Sequence, residues 1–404
     1  MKINLPSDVS HIISTLEARG FSAYAVGGCV RDSLLSRTPK DWDITTDAKP
    51  EEVKALFRRT VDTGIEHGTV TVLFGKRGYE ITTFRIDGRY EDSRHPESVT
   101  FTPSLEEDLR RRDFTINAMA YNDTAGLVDI FGGMEDLERG TVRAVGDPEE
   151  RFTEDALRIM RCIRFGAELG YNIDPETLAA AKKLSGTIAK ISRERVREEL
   201  LKILLSDHPD DVGKLSDIGV LGTFYPEFEH GRQHMTDVLL RTPTDRIYRL
   251  VAFLHASGET VEDSYEIGKR VLLELRFDND TKNRVLHMIR FHARKMTPDR
   301  TGLRHFLSDY GKEDFGDLIT YVECDHREDL SAVRAVYEDI VSSGECTSIR
   351  ELQVTGEDLA VIGIPRGKAM GEVLKKLLDR VLDEPALNTK DTLLSMAAAG
   401  FFSF

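Results

Sequence analysis

The chain has 404 residues, of which 40% are hydrophobic and 31% charged; this suits a folded protein and is more than one hydrophobic core supports, so several domains are expected. No stretch approaches the roughly 20 apolar residues that span a bilayer, and Cys29, Cys162, Cys324 and Cys346 are scattered without metal-ligand spacing, as expected of free thiols in the cytoplasm. The net charge of −15, from 55 basic and 70 acidic residues, argues against a chain-wide nucleic-acid surface but leaves room for local basic patches.

In chain order, the first segment reads as a capped amphipathic helix over 6–19 rather than a signal peptide. AYAVGG, DWDITT, TVTVLF and YEITTF read as short strands broken by Gly, Pro and Asp turns, with a second helix at 49–58. From about residue 148 the strand signals vanish. PEERFTEDALRIMRCIRFGAELG, PETLAAAKKL and SRERVREELLKILLS are helix-period segments with polar starts, and helices are expected from there to the C-terminus. Stretches near 206–224, 241–245 and 296–302 are candidate joints. The fold class is therefore α+β, with a small α/β head followed by an elongated all-helical remainder.

The strongest local chemistry is GGCVRD at 27–32 followed by DWDITT at 41–46. Strand residues two apart share a face, so Asp41 and Asp43 project together while Trp42 points into the core. Two carboxylates on one face make a hard oxygen site suited to Mg²⁺ with a nucleoside triphosphate. A DxD alone is short and common, and two solvated acids at a strand end would look the same. The Gly27-Gly28 turn shifts the balance, because glycine lets a backbone approach a phosphate and offer its N–H groups. Arg31 can reach a phosphate oxygen.

The combination GGxVRD with PKDWDITT resembles the head of class II tRNA nucleotidyltransferases and bacterial poly(A) polymerases, members of the polymerase-β-like nucleotidyltransferase superfamily. The resemblance covers the head and neck fully and the tail loosely. It implies a third carboxylate within a hydrophobic-acid-hydrophobic triplet, which Tyr79-Glu80-Ile81 fits, although an acid at a strand rim looks the same. It also gives RRDFTINAMAY at 111–121 a role: Arg112 contacts the nucleotide, and Asp113 and Asn117 order the segment or meet the ribose. The bare reading of that segment is an amphipathic stretch with a charged start.

EDALRIMRCIRF at 154–165 carries a stripe of one acid and three arginines. On a helical wheel Asp155 sits at 0°, Arg158, Arg161 and Arg164 at about 300°, 240° and 180°, and the apolar residues lie opposite. Such a stripe is usually a solvated face, but three arginines repel unless an anion or acid lies nearby. The resemblance implies that Asp155 and Arg158 read the incoming base while Arg161 and Arg164 meet phosphate or the primer end. A carboxylate accepts equally from cytosine N4 and adenine N6, and it would face a carbonyl in uracil or guanine.

The resemblance divides the chain into a nucleotidyltransferase head at 1–140, a nucleotide-selecting neck at 141–205, a body at 206–340 and a tRNA-binding tail at 341–404. The charge-rich segment 84–101 resembles the loop with which relatives switch from CTP to ATP. The expected activity is Mg²⁺-dependent, template-independent addition of CCA to tRNA from CTP and ATP. The alternatives are an A-adding specialist, a poly(A) polymerase, an HD-type phosphohydrolase, which the missing dyad disfavours, and a silent tRNA-binding scaffold, which the intact Asp41/Asp43 pair disfavours. The segment 228–260 resembles an HD phosphohydrolase segment, but Ala256 follows His255 where the His-Asp dyad requires an acid, so no metal-ligand set is evident from the sequence. Gly363, Pro365 and Gly367 read as a turn between tail helices, with Arg366 and Lys368 beside it.

Overall fold

The structure, a computed structural model, describes residues 2–88 and 99–399. It divides into two compact units, one of Met1–Arg232 with Val271–Phe277, the other of Gln233–Arg270 with Asp278–Phe404.

The first unit opens with α1 (Ser7–Glu17), whose Val9, Ile12, Ile13 and Leu16 are buried. These positions recur at the three- and four-residue spacing that puts them on one helix face. There follow β1 (Ala23–Val26), α2 (Gly28–Leu34), β2 (Asp43–Thr46) and α3 (Pro50–Leu56), then β3 (Thr60–Gly64), β4 (Thr69–Phe74) and β5 (Arg77–Thr83). β6 (Arg85–Asp87) and β7 (Val99–Phe101) pair antiparallel on either side of residues 89–98. Those ten residues, most of the expected switching loop, lie outside the described residues. α4 (Leu105–Arg110), β8 (Met119–Asn122), β9 (Gly126–Asp129) and α5 (Gly133–Arg139) complete the sheet-bearing part.

Seven strands form one mixed sheet in the order β3-β4-β5-β2-β1-β8-β9. β2 runs antiparallel to β1 and parallel to β5, with Ile44 opposite Ile81. That register matters for the chemistry, because Asp43 and Glu80 each precede these partners by one residue.

Helical structure then dominates: α6 (Pro148–Glu154), α7 (Leu157–Leu169), α8 (Pro175–Leu184), α9 (Arg193–Leu204) and α10 (Val212–Asp217). One strand pairing was not anticipated beyond 148: β10 (Thr141–Val142) runs parallel to β11 (Asn172–Ile173). Two residues are too few to leave an alternating pattern in the sequence. Long helices of the chain's second half are α11 (Arg232–Arg241), α12 (Arg246–Leu254), α13 (Val261–Glu274), α14 (Asn279–Phe291), α15 (Arg300–Tyr310), α16 (Phe315–His326) and α17 (Ser331–Ser342). The tail holds α18 (Gly356–Val361), α19 (Lys368–Asp383) and α20 (Lys390–Ala398) around a core that includes Leu359, Leu377, Val381 and Leu393. Gly363 and Gly367, both at positive φ, form the expected turn between α18 and α19.

Candidate active site

A cleft of about 740 Å³ in the first unit is lined by Gly28, Arg31, Asp41, Asp43 and Arg164 among others. β1 ends at Val26 and the chain turns sharply into α2. Gly27 makes the turn at φ +82°, and a Cβ there would stand 3.0 Å from Nη1 of Arg112. Glycine is therefore dictated by both backbone and space. At Gly28 a Cβ would meet only Arg31 Nη2 at an ordinary 3.8 Å, so the protein's own packing leaves that position open toward the cleft.

β2 begins at Asp43, and Asp41 lies just before it in irregular chain. The two carboxylates share the cleft as their spacing implied. Trp42 departs from expectation: it is only half-buried, because outside the paired strand it has no facing core layer. Although Asp43 is solvent-exposed on the cleft wall, the surrounding protein desolvates its carboxyl and holds it above its ordinary range, with Arg112 opposing and Asp41 adding to the shift. Glu80 is likewise raised, by burial and then by Asp43 and Asp41. Asp43 thus senses the charge of Asp41, and Glu80 senses that of both aspartates.

Behind the cleft lies a chain of buried polar contacts. Arg31 donates through Nη1 to Asn117 Oδ1 at 2.7 Å and through Nε to Asp32 Oδ1 at 2.9 Å. Asn117 Nδ2 in turn donates to Asp113 Oδ1 at 3.2 Å, and Arg161 donates through Nε and Nη2 to Asp113 Oδ2 at 2.8 and 2.5 Å. Burial alone would raise Asp113, but Arg161 and Arg158 hold it well below the usual carboxylate range. Arg112 reaches the buried Asp108 at 3.3 Å.

The arginine stripe exists, but Asp155 is not part of it. The helix expected through 154–165 is interrupted: α6 stops at Glu154, Asp155 is extended (φ −136°, ψ 103°), and α7 starts at Leu157. Asp155 Oδ1 accepts from the Leu157 N–H at 3.0 Å and Oδ2 accepts from Arg195 at 2.9 Å. An aspartate that can cap a helix competes with continuing it. The face is not solvated either, since each arginine has an acid: Arg158 has Glu154 at 2.6 Å, Arg161 has Asp113, and Arg164 has Glu199 at 2.7 Å. Arg158 also donates to the Arg111 carbonyl at 2.9 Å. The cleft lining includes Arg164 but not Arg112, Asp155, Arg158 or Arg161.

The model of the poly(A) polymerase head domain matches residues 23–143, that of a "Probable RNA and SrmB-binding site of polymerase A" matches 170–231, and that of tRNA nucleotidyltransferase domain 2 matches 253–397. The CCA-adding enzyme of Lactiplantibacillus plantarum is 37% identical over 96% of this chain and 94% of its own. This chain belongs to the CCA-adding enzyme family. The family's enzyme from Enterococcus faecalis is 35% identical over 96% of this chain and 95% of its own. Among solved structures, the Bacillus stearothermophilus CCA-adding enzyme in complex with CTP superposes with a TM-score of 0.81 at 30% identity, covering 96% of this chain and 95% of that one. The mixed α+β fold, sheet head first and helices after, is that family's fold.

Nucleotidyltransferases of this family use divalent metal ions. The donor set fits one: two carboxylates in one cleft, with Glu80 electrostatically coupled to both, repel one another unless a cation sits between them.

Sequence reasoning missed the paired acids Glu154 and Glu199, the partner Arg195, and the cleft-lining cations Arg37, Lys40 and Lys202. Lys40 inside PKDWDITT, Glu154 at the start of EDALRIMRCIRF and Arg195 in a basic cluster carried local signals, but not of these partnerships. It also missed a grouping in the second unit. Although Ala256 breaks the His-Asp dyad, His234, His255 and Asp325 bring ligand atoms within 4.8 Å of one another.

Proposed function

We propose that this chain completes the 3′ end of tRNA by adding CMP twice and AMP once, from CTP and ATP, without a nucleic-acid template and with release of pyrophosphate. The observation that carries the reading is kinship with CCA-adding enzymes over almost the whole of both chains. The head is the catalytic part, the neck selects the nucleotide, and the tail supports the tRNA. The reaction belongs in the cytoplasm; among the described residues no helix is long and apolar enough to cross a membrane.

Asp41 and Asp43 would hold Mg²⁺, with Glu80 a third carboxylate beside them. That ion, when bound, supplies positive charge that acidifies the primer 3′-hydroxyl and offsets the charge of the triphosphate. Gly28 and Arg31 receive the phosphates, and Arg31 enters the cleft already oriented by Asp32 and Asn117, so little order is lost on binding. Arg112 neutralises charge next to Asp43. Asp155 and Arg158 select the base. Asp155, held by Arg195 and the Leu157 N–H, has carboxylate lone pairs left to accept from the exocyclic amine of cytosine or adenine. Uracil and guanine would set a carbonyl against it, and a buried unpaired acceptor is rejected strongly. Arg161 and Arg164 meet phosphate or the primer end.

The test is incorporation of labelled nucleotides, with Mg²⁺, into a tRNA ending at its discriminator base and one ending in CC. Two cytidines then one adenosine on the first tRNA establishes CCA addition. Adenosine on the CC-ending tRNA alone means an A-adding specialist, and long adenosine tracts mean a poly(A) polymerase.

A further inference from the structure

In the second unit, four histidines and one aspartate gather at helix ends. His234 lies on α11, His255 caps α12, His292 caps α14, and Asp325 and His326 close α16. Asp325 Oδ1 has His234 Nε2 at 2.7 Å and His255 Nε2 at 3.4 Å, and Asp325 Oδ2 has His326 Nε2 at 3.5 Å. His255 and Asp325 are 5% and 4% exposed. Arg241 fastens this end of α16 through the Cys324 and Asp325 carbonyls.

The hydrogen bonding of this group is incomplete in a specific way. His255 Nδ1 lies 3.0 Å from the Ala252 carbonyl. A carbonyl only accepts, so Nδ1 carries the proton and the neutral ring turns a lone pair outward at Nε2. That lone pair faces Asp325 Oδ1, another acceptor. Among the described residues His255 Nε2 is buried without a hydrogen-bond partner, as is the Tyr321 hydroxyl on the same helix as Asp325, whose ring lies 5.9 Å from that of His255; Asp325 Oδ1 has the close approach of His234 Nε2 at 2.7 Å, without hydrogen-bond geometry. Two buried acceptors set against each other are costly unless a cation lies between them. A neutral His234 with its proton on Nε2 can meet Asp325 Oδ1 at 2.7 Å, but that leaves His255 Nε2 unmet, and charging His255 sets a cation beside His292, whose ring is 5.5 Å from that of His255. One divalent ion satisfies His234, His255 and Asp325 together.

We propose that His234, His255 and Asp325 form a second metal site, separate from the carboxylate cleft of the head, that takes a late first-row divalent ion of the zinc class. Two imidazole nitrogens and one carboxylate oxygen suit zinc and not magnesium, which prefers oxygen ligands. The His255–Ala252 hydrogen bond is the support that ligating histidines receive, a backbone carbonyl on the other ring nitrogen. Three protein ligands leave a fourth position for water or an anionic oxygen. The His234 side chain is 50% exposed and gives the ion a route from solvent.

The full chain, stripped with a chelator, is dialysed against Zn²⁺ in excess Mg²⁺, and bound zinc is measured by mass spectrometry. The wild type and an Asp41→Ala/Asp43→Ala double variant should each keep about one zinc per chain, and His234→Ala and Asp325→Asn should fall to background. Zn²⁺ should also raise the melting temperature of the wild type and not of His234→Ala. His234 is half-exposed, so His234→Ala keeps its circular dichroism and carries the test even if Asp325→Asn fails to fold. Equal zinc in the wild type and a folded His234→Ala, or loss of zinc in the Asp41→Ala/Asp43→Ala variant alone, overturns the proposal.

Discussion

Asp43 stands where burial, a neighbouring carboxylate and Arg112 act on one group. Its place on the cleft wall makes its chemistry separable from folding. Asp43→Asn should abolish nucleotide transfer while the unfolding free energy changes by no more than a surface substitution allows, about 0.5 kcal/mol; radiolabel incorporation and calorimetry check both halves. Glu80→Gln should raise the Mg²⁺ concentration needed for half-maximal rate, since it removes a charge coupled to both aspartates. Asp155→Ala should relax the choice of nucleotide, read as incorporation of uridine in competition with cytidine. Asp113 acts on stability instead. Its folded pKa lies below the unfolded value of about 3.9. The stability it contributes is therefore fully present above that unfolded value and is lost as pH falls toward the folded one. Asp113→Asn should flatten the decline of the melting temperature below pH 4, and Asp113→Ala, which leaves Arg161 without its acid, should cost about 3 kcal/mol at neutral pH. Asp41 and Asp43 are legible from their spacing, and Glu80 only from the family resemblance. The sequence could not announce Glu199 as the partner of Arg164, since the two lie on different helices that only tertiary packing brings together.

Elements with a strong periodic or alternating pattern were legible. TVTVLF coincides with β4, and the polar-started apolar segments became α7, α8 and α9. What escaped was the break at Asp155. Every residue of 154–165 suits a helix, and the interruption depends on a cap hydrogen bond and on Arg195 from α9. Local propensity is a weak prior where a tertiary partner competes. The turn into α2 is the opposite case, written in the chain as a glycine pair. Gly27→Ala should destabilise by about 1–2 kcal/mol, from the left-handed strain, and should displace Arg112, 3.0 Å from the added methyl. Denaturant melts measure the first effect, and a raised KM for CTP reports the second.

Over the whole molecule, the charge of −15 sets a problem for a partner as anionic as tRNA. The cleft supplies individual cations locally, where Arg31, Arg37, Lys40, Arg164 and Lys202 share one lining with the acids Asp32, Asp41, Asp43, Glu168 and Asp207. Binding that rests on these cations releases counterions, so the KM for tRNA should climb at least tenfold between about 50 and 200 mM salt, and kcat should move far less. The chain's path carries a different consequence. It leaves the first unit after Arg232, returns for Val271–Phe277, and leaves again. In that return Glu274 meets Arg193 at 3.0 Å, Arg276 pairs with Glu194, and Arg197 sits over the Phe277 ring. A gene segment ending at codon 232 would encode a head and neck without this stitch. A single break in the chain therefore cannot lift either unit out whole.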